Sequence, residues 1–319
     1  MENTQPSFRQ FSFTGEGMEL FKIYIVNWLL TILTLGMYYP WAKATLLKYN
    51  YHHTFFDGSP FQFHGTGLEI FKGFIKIFIY LILVFSMILG LQLYGNQRYM
   101  SIAIFLIYLV TFVLIPFAIH GSVRYRSSRS SWRGIHFGYR GQLNELVKLY
   151  LLGILLTIFT FGIYGAWFIN DLRKYIISHG RFGNIKFDYT GEGTAYFWLN
   201  FKGFFLTLIT FGIYGFWWAM DQFNFFVENV YAEQNGKTLP IRSSAKGSDY
   251  LVLMLVNILL TVFTIGLALP WVVVRTMRFF MQNIWVQGDF EADSLVQTEE
   301  AYKDATGDDF ADFLDLNIV

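Results

Sequence analysis

Cysteine is absent from this 319-residue chain, which excludes disulfides and thiolate metal sites. Charge is scarce as well. Asp, Glu, Lys and Arg make up 15% of the residues, against about 25% in an ordinary soluble domain. So little polar surface cannot clothe the core that 54% hydrophobic residues would build, so two soluble domains are excluded despite the length. A net charge of +1 leaves no basic footprint for nucleic acid. Aromatic residues, by contrast, are abundant: 36 Phe, 20 Tyr and 9 Trp.

Six stretches carry no charge and approach the length of about 20 residues that a helix needs to cross a bilayer. They are 23–42, 77–94, 102–119, 149–169, 203–220 and 250–274. The expected fold class is therefore an α-helical integral membrane protein with about six transmembrane helices. The first ten residues are polar and no small-residue cleavage site follows the first apolar run, so that run reads as a retained span rather than a signal peptide.

Internal repeats dominate the chain. The pattern T-x-x-T-x-G-x-x-x-x-W occurs at Thr31/Thr34/Gly36/Trp41, Thr157/Thr160/Gly162/Trp167, Thr207/Thr210/Gly212/Trp217 and Thr261/Thr264/Gly266/Trp271. A second pattern, F-x-[FY]-x-G, ends at Gly15, Gly65, Gly141 and Gly191. Glu19, Glu69 and Glu145 follow that glycine at one spacing and Lys22, Lys72 and Lys148 at another, so Glu and Lys can pair on a helix face. One unit is irregular. It carries an extra apolar run before Pro116 and lacks the threonine pair, yet Pro116, Phe117 and Arg124 match Pro270, Trp271 and Arg278 in spacing.

Five related units result, at about 8–56, 57–130, 131–180, 181–237 and 238–288, in a single membrane domain spanning 1–288. Each unit reads as a short β-hairpin cassette with period-two alternation, an apolar span, a Gly break and a Trp at the membrane boundary. The partly charged aromatic segment after the Trp reads as an interfacial amphipathic helix. Residues 289–319 form an acidic tail with ten acidic residues and one lysine.

The blocks FSFTGEGMELF, TLGMYYPWAK, FQFHGTGLEIFKGF, SSWRGIHFGYRG and FKGFFLTLITFGIYGFWW, with the terminal GDDFADFLDLNIV, carry a family resemblance across nearly the whole chain. The sequence resembles the YjgN family of bacterial inner-membrane proteins, a family of unknown function. The resemblance implies a multi-pass protein of the bacterial inner membrane. It implies no catalytic residue, cofactor or substrate.

Topology admits two forms. Six full spans place the arginine-rich stretch 121–145 in the cytoplasm by the positive-inside rule, but leave both termini outside. Alternatively, the T-x-G break is the tip of a returning hairpin. Then 23 of the 24 basic residues fall on the cytoplasmic side and only Arg98 lies opposite. That form brings Lys43, Asp171, Asp221 and Arg275 toward membrane depth, at about 2.5–3.5 kcal/mol each on the insertion scale. Six full spans are the expected form.

Two sets of residues are candidates for function. The threonine pairs Thr31/Thr34, Thr157/Thr160, Thr207/Thr210 and Thr261/Thr264 would make a polar stripe, although membrane threonines commonly bond their own helix. Lys43, Asp171, Asp221 and Arg275 would handle ions or protons if they converged. Asn27 and Asn257 call for helix–helix partners. His52, His53, His64, His120, His136 and His179 include no i, i+4 metal pair. No nucleophile or paired-carboxylate motif is visible. No cofactor and no enzyme activity are expected.

Function is expected to be transporter- or channel-like, for a small or lipid-like solute, because broken helices and repeats build transporter sites. The alternative is an envelope scaffold or adaptor that binds a partner through the strand cassettes and the acidic tail. Membrane lipids are the expected partners. Phe310–Val319, rich in apolar residues for an acidic tail, is expected to dock on a protein partner or on the chain itself.

Overall fold

A computed structural model describes residues 8–94 and 97–298. The first unit runs β1 (Phe8–Phe13), α1 (Gly17–Leu33), α2 (Tyr39–His53), β2 (Thr54–Phe56). The same order repeats through β3 (Ser59–Phe63), α3 (Gly67–Tyr94), α4 (Gln97–Arg129), β4 (Ser130–Trp132) and β5 (Ile135–Tyr139), α5 (Leu143–Phe159), α6 (Gly165–Ser178), β6 (Gly180–Phe182). It continues with β7 (Ile185–Tyr189), α7 (Gly193–Ile209), α8 (Gly215–Glu228), β8 (Val230–Gln234) and closes with β9 (Lys237–Ser243), α9 (Gly247–Phe263), α10 (Leu269–Gln282), β10 (Ile284–Gln287).

The ten strands of the described residues form one closed antiparallel barrel. Within a unit the first and last strands pair, with Phe13 opposite Thr54 and Phe11 opposite Phe56. Strand ends that meet this way force the intervening helices out and back as a hairpin. Between units the strands join through tight turns, where Asp57-Gly58, Arg133-Gly134 and Asn235-Gly236 take positive φ. β1 pairs with β10, so the last unit closes on the first.

This architecture corrects the expectation of a bundle of about six transmembrane helices. Among the described residues only two helices, over Gly67–Leu93 and Tyr99–Arg129, are long and apolar enough to cross a membrane. Hydropathy merges a helix, a reversal and the start of a second helix into one apolar run. The reversal is a backbone property. Gly36, Gly162, Gly212 and Gly266 have φ of +83° to +92°, and the residues before them, Leu35, Phe161, Phe211 and Ile265, have φ of +50° to +52°. Two consecutive left-handed residues stop an α-helix. The segments after each Trp are therefore return helices, not separate interfacial helices. The strand cassettes likewise combine into one barrel instead of standing as separate hairpins.

Units interlock with their neighbours. α2 packs on β3, α4 on β5, α6 on β7, α8 on β9 and α10 on β1, so each return helix covers the first strand of the next unit. The boundary tryptophans seal this overlap. A Cβ added at Gly67, Gly193, Gly247 or Gly17 would overlap the ring of Trp41, Trp167, Trp217 or Trp271 respectively. Trp271 on Gly17 joins the two ends of the chain. In the irregular unit Phe117 replaces the Trp, and Leu143 stands where the next unit's glycine would be.

Within hairpins the fit is by size. Phe168 fills the space over Gly153 and Trp218 that over Gly203. At the matching position of the outgoing helix stand Asn27, whose Nδ2 donates to the Ala42 carbonyl at 3.4 Å, and Asn257, whose Nδ2 donates to Thr276 Oγ1 at 3.1 Å. The repeated spacing of Glu19, Glu69 and Glu145 serves the return helix. They meet His53 at 3.2 Å, Arg129 at 2.7 Å and Tyr175 at 3.3 Å.

The interlock yields a paired prediction. Gly17→Leu should cost about 3 kcal/mol, because the Trp271 ring already occupies the space. Adding Trp271→Phe should recover at least half of that loss, since it recreates the combination that stands at the matching positions 117 and 143. Thermal unfolding of the purified single and double variants measures both.

Candidate functional site

The barrel bore is solid. One tier comes from the closing strands: Phe56, Trp132, Phe182, Ala232 and Val286. Trp132 is 1% exposed, and its Nε1 donates to the carbonyls of Phe56 at 3.2 Å and Ser59 at 3.0 Å. A second tier faces the helices and comes from Phe11, Phe61, Phe137 and Phe187. These are the first aromatic residues of the F-x-[FY]-x-G repeats. Phe11 and Phe61 stack with centroids 6.2 Å apart, and Phe137 stacks on Phe182 at 4.4 Å.

The far end of the bore is capped by the chain after β10. Phe290 is buried against Phe56 and Trp132, and the Arg9 guanidinium lies over the Phe290 ring, 5.3 Å from its centroid. Glu291 pairs with Lys237 at 2.8 Å, and Lys237 holds its carboxyl below the usual range. His136 N donates to Gln297 Oε1 at 2.8 Å, and Thr298 Oγ1 to the Gly183 carbonyl at 2.5 Å. The start of the acidic segment is thus a strap across the barrel. Phe310–Val319 lies outside the described residues.

Above the aromatic floor the return helices touch at their flanks, as Phe223 of α8 does Phe280 of α10 at 4.9 Å, and leave a chamber between them. It has two adjoining lobes of about 540 and 400 Å³, which share Phe11, Val123, Ser127, Phe137 and Met281. All five return helices contribute walls: Asn50 and Tyr51 from α2, Ser122 and Val123 from α4, Ile176 and Ile177 from α6, Phe226 and Val227 from α8, Met277 and Met281 from α10. The surface is mainly apolar, with a few polar groups. Arg126 and Ser130 line the larger lobe, where Ser130 Oγ donates to the Arg126 carbonyl at 2.6 Å. Arg181 lines the smaller one, tied by Nη1 to the carbonyls of Ser178 and Gly180. Asn50 Oδ1 is buried without a hydrogen-bond partner. Such a chamber suits an amphiphile, with chain against Phe, Met, Ile and Val and a small polar head among Asn50, Ser122 and Arg126.

The sequence candidates lie elsewhere. The threonines stitch the hairpin tips. Thr31, Thr34, Thr157, Thr160, Thr210, Thr261 and Thr264 each donate to the carbonyl four residues back, at 2.6–2.8 Å. The second threonine of each pair also accepts the N–H of Tyr38, Tyr164, Tyr214 or Ala268 at 2.9 Å. Thr207 Oγ1 is buried without a partner. Among the charges, Lys43 is buried, whereas Asp171, Asp221 and Arg275 are exposed on three different hairpins. The structure does not bring these four together. Among the described residues, no group of three or more His, Asp or Glu side chains is placed to hold a metal.

The chamber's lining residues are not among the sequence candidates. Its floor is legible in the sequence as strand alternation. Its walls come in part from the segments read as interfacial, whose uncharged face includes Met277 and Met281, and in part from the arginine-rich stretch 121–145, with Val123 and Ser127.

The fold and chamber define a membrane protein of five interlocked β–α–α–β units around a packed barrel. The model of the family described as "Bacterial protein of unknown function (DUF898)" matches residues 8–189 and 228–313, and the chain belongs to that family. It is similar to "Inner membrane protein YjgN" of Salmonella typhimurium, 26% identical over 174 residues, which cover 49% of this chain and 40% of that protein. The protein of the same name from Escherichia coli O157:H7 is 27% identical over 130 residues, covering 40% and 30%. The matches thus span less than half the length of these curated relatives. No solved structure matches the chain.

Two predictions follow from the side-chain geometry. Thr210→Val should cost about 1 kcal/mol, because it orphans the Tyr214 N–H, while Thr207→Val should be near neutral. Chemical denaturation in detergent compares them. The second concerns His64, whose Nε2 lies 2.7 Å from Ser131 Oγ beside the barrel. Burial, then His136, Arg129 and Lys48, hold its imidazole below the ordinary value. The unfolded chain therefore binds the proton more readily, and stability falls as the pH drops through about 6.5. The wild type should lose more thermal stability than His64→Gln between about pH 7.5 and about pH 5.5; equal losses would show that His64 is not the cause.

Proposed function

We propose that this is a multi-pass inner-membrane protein, transporter-like, that takes a lipid-like solute into the chamber above the barrel. The observation that carries this reading is the chamber itself, an apolar space walled by all five return helices and floored by stacked aromatics. Its few polar groups sit among apolar walls, as in sites that hold an amphiphile by its chain and orient it by its head. α3 has 28 residues and α4 33, about 42 and 50 Å at about 1.5 Å per residue. Both exceed the hydrocarbon thickness of about 30 Å, so this hairpin crosses the bilayer. The barrel and strap then face the cytoplasm, with the basic residues beside them and Arg98 at the start of α4, opposite.

A channel along the barrel axis is disfavoured by the filled bore. An adaptor acting through strand edges is disfavoured by barrel closure, because a closed barrel has no free edge to pair.

Val123→Trp tests the reading, since Val123 borders both lobes. Native mass spectrometry of the wild type released from nanodiscs should show a bound lipid-like species. The variant should lose it while keeping its unfolding temperature. Identical bound species in both would refute a chamber site.

A further inference from the structure

The two spanning helices leave four other hairpins, α1–α2, α5–α6, α7–α8 and α9–α10, whose ends are unusual. At their tips Leu35, Phe161, Phe211 and Ile265 are 94%, 98%, 97% and 93% exposed. Large apolar side chains at the apex of a turn are costly in water. Their left-handed backbone also disfavours bulky residues, so local conformation does not explain them.

Backbone bonding at these tips is equally unusual. In the first hairpin the N–H groups of Thr34, Leu35, Gly36, Met37 and Tyr39 donate to the carbonyls of Leu30, Ile32, Thr31, Thr34 and Gly36. Tyr38 N donates to Thr34 Oγ1. No N–H from 34 to 39 is left for solvent. The same six bonds recur at 160–165, 210–215 and 264–269. An aqueous turn has no need of such completeness, whereas hydrocarbon imposes it.

Charge sets the depth. From the last charge of each outgoing helix to its tip-side end (Lys22 to Leu33, Lys148 to Phe159, Lys202 to Ile209, Asp249 to Phe263) is about 10–21 Å at about 1.5 Å per residue. On the return helices the exposed Asp171, Asp221 and Arg275 lie about 9 Å from the tip-side end. Tips that reached the far headgroups would bury these exposed charges in hydrocarbon about 30 Å thick. In α3, Lys76 to Tyr94 is about 27 Å, close to a full crossing.

We infer that these four hairpins are re-entrant: they enter the bilayer from the barrel side and end inside the hydrocarbon, where acyl chains cover Leu35, Phe161, Phe211 and Ile265. Trp41, Trp167, Trp217 and Trp271, near the exposed charges in sequence, mark the interface they enter through. The protein is thus sunk in one leaflet around most of its circumference and crosses both only at α3–α4. The inference uses the reading that α3–α4 crosses, and it holds whether or not the chamber takes a solute.

The chain has no cysteine, so single cysteines can be placed in the full-length protein. Four sites suffice: Phe161→Cys and Phe211→Cys at tips, Thr238→Cys on the exposed barrel surface and Tyr99→Cys near the start of α4. In sealed inverted and right-side-out vesicles, an impermeant maleimide should label Thr238→Cys from the cytoplasmic side only. It should label the tip cysteines from neither side until detergent is added. Bimane on the tips should be quenched more by spin labels deep in the acyl chain than by headgroup labels. Tip labelling from the periplasmic face would overturn the inference as a full crossing, and labelling together with Thr238→Cys would overturn it as a water-exposed tip. Tyr99→Cys tests the crossing separately: it should label from the periplasmic face, and failure there with protected tips would remove the α3–α4 reading alone.

Discussion

The contact between a boundary tryptophan and the glycine two residues past the next unit's strand glycine is the constraint on which the rest depends. No unit is self-sufficient. Its return helix lies on the following unit's strand, and its Trp occupies space that only a glycine leaves open. A chain of such units has two unsatisfied ends unless it closes. Trp271 over Gly17 and β10 beside β1 are the same closure seen in the helical layer and in the barrel. Arg278, which donates to the Gly15 carbonyl at 3.0 Å, adds a third link at that seam. Repeat proteins that stack linearly need capping units, but a ring of interlocked units caps itself.

Closure creates the chamber. Five return helices held over five neighbouring strands stand on a circle whose width is set by ten strands. Side chains from the strands fill the bore at the level of the barrel. The helices above carry smaller inward residues, Ser122, Val123, Ser127 and Val227 among them, and do not close the gap. The cavity is therefore a geometric consequence of the ring, and its apolar lining comes from the membrane-facing composition of the chain.

Much of this was legible in the sequence, and the boundary of legibility is physical. Repeat spacing marked out the strand–glycine–helix cassettes and the family, because each motif is local: Phe13 and Gly15, or Thr34 and Gly36, act within a few residues of one another. The number of crossings was not legible. The run from Ile23 to Ala42 has the length and hydropathy of a span, and only the backbone angles of Leu35 and Gly36 show that it turns back. Closure was illegible for a different reason. Pairing of Phe8 with Gln287 and packing of Trp271 on Gly17 join opposite ends of the chain, and nothing local records it. The threonines were ambiguous because one hydroxyl spacing serves a polar path or a stitched turn. Bonds to the carbonyls four residues back and to the N–H of Tyr38 and its counterparts favour the turn.

The irregular unit shows what the symmetry is for. Where four hairpins carry the Thr-Gly reversal, α3 and α4 replace it with longer helices and lose the Trp–Gly pair at Phe117 and Leu143. A ring of five equal units would need none of this. On the proposed placement, breaking it at one position would give the ring a single axis of attachment through both leaflets while the other hairpins stay shallow. If the chamber takes a solute as proposed, the filled bore leaves it a path among the helices and not through the barrel. That path matches the apolar chamber walls and is hostile to an ion or a sugar, which would have to shed its water to follow it.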